Sequence, residues 1–301
     1  MRVVEIEEVL PGKKKTIRLH HICDTHLGAP DVDERALRER VELIRKDPNA
    51  RWTFGGDGGD LIKFSDRRYQ PDELHHRYRQ ATDIRYATME HMLEVFSPIK
   101  EKCWGLCDGN HERKYDELNG GKFGCELACN LGIPDRWVDY RGFIHVQFAL
   151  TKTQRLPVLL DLQHGWQAGR RPGGPHNQAE LELGFTEADI VLRGHSHTPL
   201  AHAFVTLGVS SGKAQKVRRR TRYVVNGGTW RLGYRDGLRP VNGDRLSEVE
   251  GSLWSERKGF RPAPIGGPVL IIKLLGAGPS GPAMLEMAAV ENLIDEETLG
   301  I

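Results

Sequence analysis

The sequence predicts an α/β fold, and three observations predict it. Short apolar runs of strand length recur along the 301 residues, several with two-residue alternation. Longer stretches with helical spacing separate some of those runs. The chain is 39% hydrophobic and 28% charged, which excludes a disordered polymer, and its length suffices to bury a substantial core. No internal repeat or linker divides it, so residues 1–275 read as one domain. Residues 276–301, Gly/Pro-rich and then acidic, form a tail with no assigned structure.

Taken in order, Val3 to Val9 and Thr16 to Cys23 read as a β-hairpin joined at Pro11-Gly12, a dipeptide that marks turns. Asp33 to Lys46 is an amphipathic helix with Leu37, Val41 and Ile44 on one face. Arg51 to Phe54 is a short strand. Pro71 to Phe96 is expected to be one long helix, opened by Pro71-Asp72-Glu73 and closed before Ser97-Pro98. A strand comes next at Lys102 to Cys107. Gly142 to Leu150 and Leu156 to Gln163 form an antiparallel pair. Further strands run through Ile190 to Leu192, Tyr223 to Val225 and Val269 to Leu274, with a basic hairpin excursion expected over 201–223.

Five polar motifs fall at or just past the ends of these strands. They are Asp24-Thr25-His26, Gly56-Asp57 with Asp60, Gly109-Asn110-His111-Glu112, His164-Gly165, and Gly194-His195-Ser196-His197. Their oxygen and nitrogen donors suit manganese, iron or zinc better than thiolates would. Two cations roughly 3.5–4 Å apart clamp both the attacking and leaving oxygens of a displacement at phosphorus. A carboxylate between them offsets part of their repulsion, while a neutral amide such as Asn110 keeps bound water acidic. Taken singly, a histidine is more often structural than a ligand, and the glycines beside Asp57 fit a simple turn. It is the ordered set of five that carries the reading.

From about Ile17 to Tyr234, these motifs resemble the calcineurin-like metallophosphoesterase superfamily. The resemblance implies a sandwich of two mixed β-sheets flanked by helices, with the site in loops at the strand ends. It implies that Asp24, His26 and His197 hold one metal, that Asn110, His164 and His195 hold a second, and that Asp57 bridges them. It casts His111 as proton donor to the leaving group and Asp60 as the carboxylate that orients it. The implied cofactors are two divalent ions, manganese first, with iron, zinc or nickel as alternatives. Phosphoprotein phosphatases of the superfamily follow the Asp60 position with Arg, whereas this chain has Leu61. The Gly-Asp-Gly-Gly-Asp and Asn226-Gly227-Gly228-Thr229-Trp230 segments look most like small, phage-encoded members. The expected activity is therefore a phosphodiesterase acting on nucleic acid (DNA or RNA) or nucleotides. The alternatives are a phosphomonoesterase and an inactive scaffold like the retromer subunit of the same fold.

Two basic stretches bear on substrate. Arg170 and Arg171 follow His164 in a Gly- and Pro-rich loop and are expected to bind substrate phosphate. Lys213, Lys216, Arg218, Arg219, Arg220 and Arg222 form a second run, which fits a polyanion contact or simply a solvated surface. The net charge of +2 selects no partner. Five cysteines and no apparent export signal argue against a disulfide framework. Cys103, Cys107, Cys125 and Cys129 have spacings that permit a zinc site, but the first pair lies on an apolar strand, where a free thiol packs as a small hydrophobe. No apolar run approaches the roughly 20 residues that span a membrane, so a cytoplasmic protein is expected.

Overall fold

The computed structural model describes residues 1–9, 16–62, 74, 76–149, 151–152, 155–166, 173–209, 215–234, 254–275 and 284–290. Two mixed β-sheets pack face to face, and helices cover their outer faces. The six-stranded sheet runs β1 (Arg2–Glu8), β5 (Arg141–Ala149), β6 (Arg155–Gln163), β7 (Ile190–Arg193), β9 (Val217–Asn226) and β8 (Leu200–Val209). The five-stranded sheet runs β11 (Met284–Val290), β10 (Val269–Leu275), β2 (Thr16–Ile22), β3 (Ala50–Phe54) and β4 (Cys103–Leu106). The sandwich implied by the motifs is the observed architecture.

The sequence pattern explains the layering. In β5 burial alternates strictly, so Ile144, Val146 and Phe148 face inward. They meet Ile17 and Leu19 of β2, Trp104 of β4 and Leu270 and Ile272 of β10, which form the core between the sheets. The opposite face of β3 carries Trp52 and Phe54 into a second core with α1 (Glu34–Lys46), α3 (Ile84–Phe96) and α5 (Phe123–Asn130). A smaller cluster packs α6 (Gly173–Leu183) on the six-stranded sheet through Ala179, Leu183, Val191 and Val224. β4 and β7 are buried at every position, as strands covered on both faces must be.

Two expectations are corrected. β1 and β2 do not form a hairpin: β1 pairs in parallel with β5, and β2 lies in the other sheet between β3 and β10. β1 buries only alternate residues and suits a sheet edge, whereas β2 has no exposed residue and buries its last four in a row, as an interior strand does. The Pro11-Gly12 turn lies outside the described residues. The long helix over Pro71 to Phe96 is also not continuous. A single turn, α2 (His76–Arg79), precedes α3, and Asp83 caps the new start by accepting from the Arg85 and Tyr86 N–H groups. Asp83 therefore competes with helix continuation, and its capping role decides the break.

Other elements match within a residue or two. Asp33 is the N-cap of α1, and the basic excursion is the β8–β9 hairpin, whose tip lies outside the described residues. Part of the tail beyond residue 275 is ordered, since β11 pairs with β10 along seven positions. Among the described residues, no helix is long and apolar enough to cross a membrane.

The topology brings five strand ends together. β2, β3 and β4 are mutually parallel, as are β6 and β7. Ligands of α/β sheets collect at such carboxyl ends. Bonds between the loops tie the two sheets here: Nδ1 of His164 lies 2.8 Å from the Gly55 carbonyl, and the His195 N–H donates to Asp24 at 2.9 Å.

Candidate metal centre

The backbone of these loops is held in an uncommon conformation. Asp24, His26, Asp57, His195 and His197 all have positive φ, between 44° and 67°. Non-glycine residues reach this region infrequently, at an energetic cost, and persist there only where the surroundings impose it. The strain appears at five of the seven residues expected to hold metal. It turns each chain sharply at its strand end, so that consecutive polar side chains point into one space.

Glycines make the close approach feasible. Gly56 has φ +85°, and a Cβ there would lie 2.5 Å from the Gly109 nitrogen. At Gly109 itself a Cβ would fall on the Asp57 carboxylate. The Asp57 and Asn110 loops can therefore touch only as glycine backbones.

The donor atoms form two neighbouring groups. In one, His197 Nε2 lies 3.1 Å from His26 Nε2 and 3.3 Å from Asp24 Oδ1. In the other, His164 Nε2 lies 3.0 Å from Asn110 Oδ1, 3.1 Å from His195 Nδ1 and 3.3 Å from Asp57 Oδ2. Asp57 Oδ2 is also 4.0 Å from His26 Nε2, so this carboxylate stands between the groups. All seven expected ligands are thus in one place. Among the described residues, no donor cluster of this kind includes a cysteine. Cys103 and Cys107 enter separate cores, so the thiols do not form a four-cysteine site.

The arrangement fits cations on its own chemistry. Nδ1 of His164 faces a carbonyl and must donate, so Nε2 is the nitrogen that faces the cluster and offers its lone pair once deprotonated. Nδ1 of His26 faces Asp60 Oδ1 at 3.2 Å, which leaves its Nε2 in the same state. The Asn110 oxygen faces only acceptors: His164, His195 and Asp57. Turning the amide would supply donors; cations among these atoms would satisfy the lone pairs without turning it.

The electrostatics agree. Burial pushes the His26 imidazolium down to about 4, leaving the neutral ring that a metal requires. Burial likewise lowers His195. Burial also opposes charge on His164, yet the adjacent Asp57 carboxylate holds its pKa up at about 10, so without metal this ring keeps a proton that a cation would displace. For Asp57, burial would favour the neutral acid, but His164 and His111 keep it ionised well below the usual carboxylate range. The site carries fixed negative charge and draws positive charge into itself.

His111 lies in the first turn of α4 (Asn110–Asn119) beside both groups, its ring 4.8 Å from that of His26. Its Nδ1 lies 2.7 Å from the Asp60 backbone carbonyl, while the Asp60 carboxylate is farther, at 3.5 Å. That carboxylate lies closer to His26, with the Arg231 guanidinium 3.8 Å away. Burial opposes a proton on His111, but the Asp57 and Asp60 charges outweigh it and raise its pKa. Arg170 and Arg171 lie outside the described residues.

Glu112 has a part that the motif reading did not assign. Its buried carboxylate accepts from the N–H groups of Asp57 at 3.0 Å, Gly58 at 2.7 Å and Gly109 at 2.8 Å. One side chain thereby binds the Asp57 loop to the start of α4. Glutamate at the third position of a helix, reaching back to the N-cap N–H, is half of a capping box and was visible in Gly-Asn-His-Glu. Arg231 is a second residue without a prior signal, joining Asp31 at 2.9 Å and approaching Asp60.

No protein-family model matches the chain, and no curated protein matches it. Among solved structures it is similar to a Vps29 mutant from Entamoeba histolytica, at 11% identity and a TM-score of 0.34, covering 91% of this chain and all of that one. It is also similar to a conserved uncharacterized protein, a predicted phosphoesterase, from Streptococcus pneumoniae TIGR4, at 12% identity and a TM-score of 0.30, covering 91% and 98%. The class rests on the chain's own architecture. Two mixed sheets flanked by helices, with donor-bearing loops at the ends of their strands, match the architecture that the motif resemblance implied.

Proposed function

We propose that the protein is a phosphoesterase with a dinuclear metal site and that it hydrolyses phosphodiesters of nucleic acid or nucleotides. The observation that carries this reading is the Asp57 carboxylate standing between two groups of strained, lone-pair-bearing donors. Asp24, His26 and His197 would hold one cation, Asn110, His164 and His195 the other, and Asp57 both. Manganese, iron or zinc suits these donors. Bound there, two cations would polarise the phosphoryl oxygens and acidify a water.

The chain's own groups supply the rest. The Asp60 carbonyl takes one imidazole N–H of His111, so the other nitrogen, Nε2, is free to meet the leaving oxygen. The raised proton affinity of His111 suits it to give that oxygen a proton. Asp60 orients His111 through its backbone and His26 through its carboxylate.

The diester reading is supported by the residue after Asp60. Leu61 is buried in the helical core, so that position offers no cation to a dianionic monoester. Arg231, the nearby guanidinium, is bound to Asp31. An inactive scaffold is disfavoured by the complete donor set and by the strain kept at it.

The test is a parallel assay of manganese-loaded protein. The substrates are bis-p-nitrophenyl phosphate, p-nitrophenyl phosphate, single- and double-stranded DNA, RNA and cyclic nucleotides. Cleavage of the diester well ahead of the monoester, with turnover of a nucleic acid or nucleotide, is the expected result. Preference for p-nitrophenyl phosphate would move the assignment to a phosphomonoesterase. No hydrolysis with any metal would leave the scaffold reading.

A further inference from the structure

The β8–β9 hairpin presents an edge of unusual composition. β9 borders β8 on one side, and among the described residues no strand pairs with the other. β8 reads Leu-Ala-His-Ala-Phe-Val-Thr-Leu-Gly-Val, ten residues without Asp, Glu, Lys, Arg or Pro. Natural edge strands are commonly guarded by charges, proline or a bulge, because an open row of N–H and C=O groups templates further pairing. Here the register with β9 is unbroken from Leu200 opposite Asn226 to Val209 opposite Val217, so no bulge guards it either.

The side chains add an apolar face. Val205, Leu207 and Val209 alternate along β8 and so share one face, joined by Val217 opposite Val209, and they are 53%, 72%, 63% and 76% exposed; one strand in, β9 sets Thr221 opposite Val205 and Arg219 opposite Leu207 on that face. At the root of the hairpin, Ala201, Tyr223 and Val225 belong to the same face and pack on the core between the sheets. The core face thus continues outward along a strand whose outer edge pairs with no strand among the described residues.

We propose that β8 pairs antiparallel with β8 of a second copy of this chain, joining two six-stranded sheets across a two-fold axis. Antiparallel pairing of identical strands is self-complementary, and it closes after two copies. With the axis at Leu207, that residue meets Leu207 of the second copy, and Val205 meets its Val209, on one face of the joined sheet. The occupant is dictated by the edge itself. It has no charge with which to select a charged strand, and its apolar row matches its own copy.

The neighbouring cations do not prevent this. Arg218 and Arg219 are exposed on β9, one strand in from the edge. Across the pair, the two β9 strands lie three strand spacings apart, about 14 Å. That exceeds the Debye length of about 8 Å at physiological ionic strength, so added salt weakens the remaining repulsion. Salt strengthens such a dimer, the opposite of its effect on a nucleic-acid contact.

Sedimentation equilibrium on the full chain tests the inference across a concentration series at low and high salt. The expected mass rises toward twice 33.9 kDa, more readily at high salt. Leu207→Lys with Val209→Lys should raise the dissociation constant about tenfold or more, with circular dichroism unchanged. Should that variant misfold, hydrogen exchange of the wild type still decides: amides of 200–209 should be protected in concentrated solution and exchange in dilute solution. A wild type that stays monomeric throughout overturns the proposal. So does a folded variant that dimerises as before, or association that appears only when nucleic acid is added.

Discussion

The strand-end loops and the β8–β9 hairpin are both rich in polar residues, yet the two regions use them in opposite ways. In the loops, five side chains sit on backbone of positive φ, and buried lone pairs face one another. Each such backbone costs on the order of 1–3 kcal/mol. A bound cation would account for keeping this arrangement. In the hairpin the cations divide by their place along β9. Arg222 donates to the carbonyls of Leu183, Thr186 and Ala188, and Arg220 reaches Asp189 and the Glu187 carbonyl. Those two stitch β9 to the segment before β7, while Arg218 and Arg219 are exposed. A ligand cluster therefore announces itself by strain against stability, whereas a charge run conceals structural members among its free ones.

The sharpest break of the comparison is Asp57→Asn. A neutral amide cannot supply the bridging charge, so diester hydrolysis should fall to background and bound metal should drop, as measured by assay and elemental analysis. Yet the fold should persist, because Asp57 belongs to the region that serves the ligand. Thermal melting without metal should show the variant no less stable than the wild type. A large destabilisation instead would make Asp57 a structural carboxylate.

Next in size is His111→Ala. Loss of a general acid costs about 10²–10⁴-fold in rate. The loss should be greater for a poor leaving group than for p-nitrophenolate, with metal content retained. An equal loss on both substrates would remove the proton-donor role, and lost metal would make His111 a ligand.

Glu112→Gln probes the support beneath these groups. Its carboxylate holds N–H groups from both the Asp57 loop and the start of α4. A residue that only orients ligands typically costs 10–100-fold in metal affinity when replaced. Titration calorimetry with manganese should find a loss of about that size. An unchanged affinity would show that the glycine contacts alone set the loop spacing.

The same contrast explains what was legible in the sequence. The donor motifs were readable because their chemistry is local, each attached to the strand that delivers it. The two-sheet sandwich entered through the family resemblance, since alternation identifies a strand but not its neighbours. For that reason β1 and β2 read as a hairpin, although their partners, β5 for one and β3 with β10 for the other, are mostly distant in sequence. The break before α3 depended on Asp83, whose short side chain serves a cap as readily as an exposed helical position. Arg222 could not be told from Arg218, because its carbonyl partners lie 34 to 39 residues earlier.

The smallest effects separate the two kinds of arginine. Arg222→Ala removes a buried guanidinium and leaves three carbonyls short of a donor, so it should destabilise the fold by a few kcal/mol. Arg218→Ala and Arg219→Ala should change stability by no more than about 0.5 kcal/mol, as exposed substitutions usually do. If the substrate is a polynucleotide that touches this ribbon, the same pair should weaken its binding. The salt dependence should flatten by about one unit of log–log slope for each phosphate no longer neutralised. Bis-p-nitrophenyl phosphate spans no such distance, and its hydrolysis should not move. Binding that keeps its strength and salt slope would confine the hairpin to structure and self-association, and would favour a small nucleotide over a polymer as substrate. Both arginine classes sit on one strand, so chemical denaturation and a salt titration on three variants decide which of them carries function.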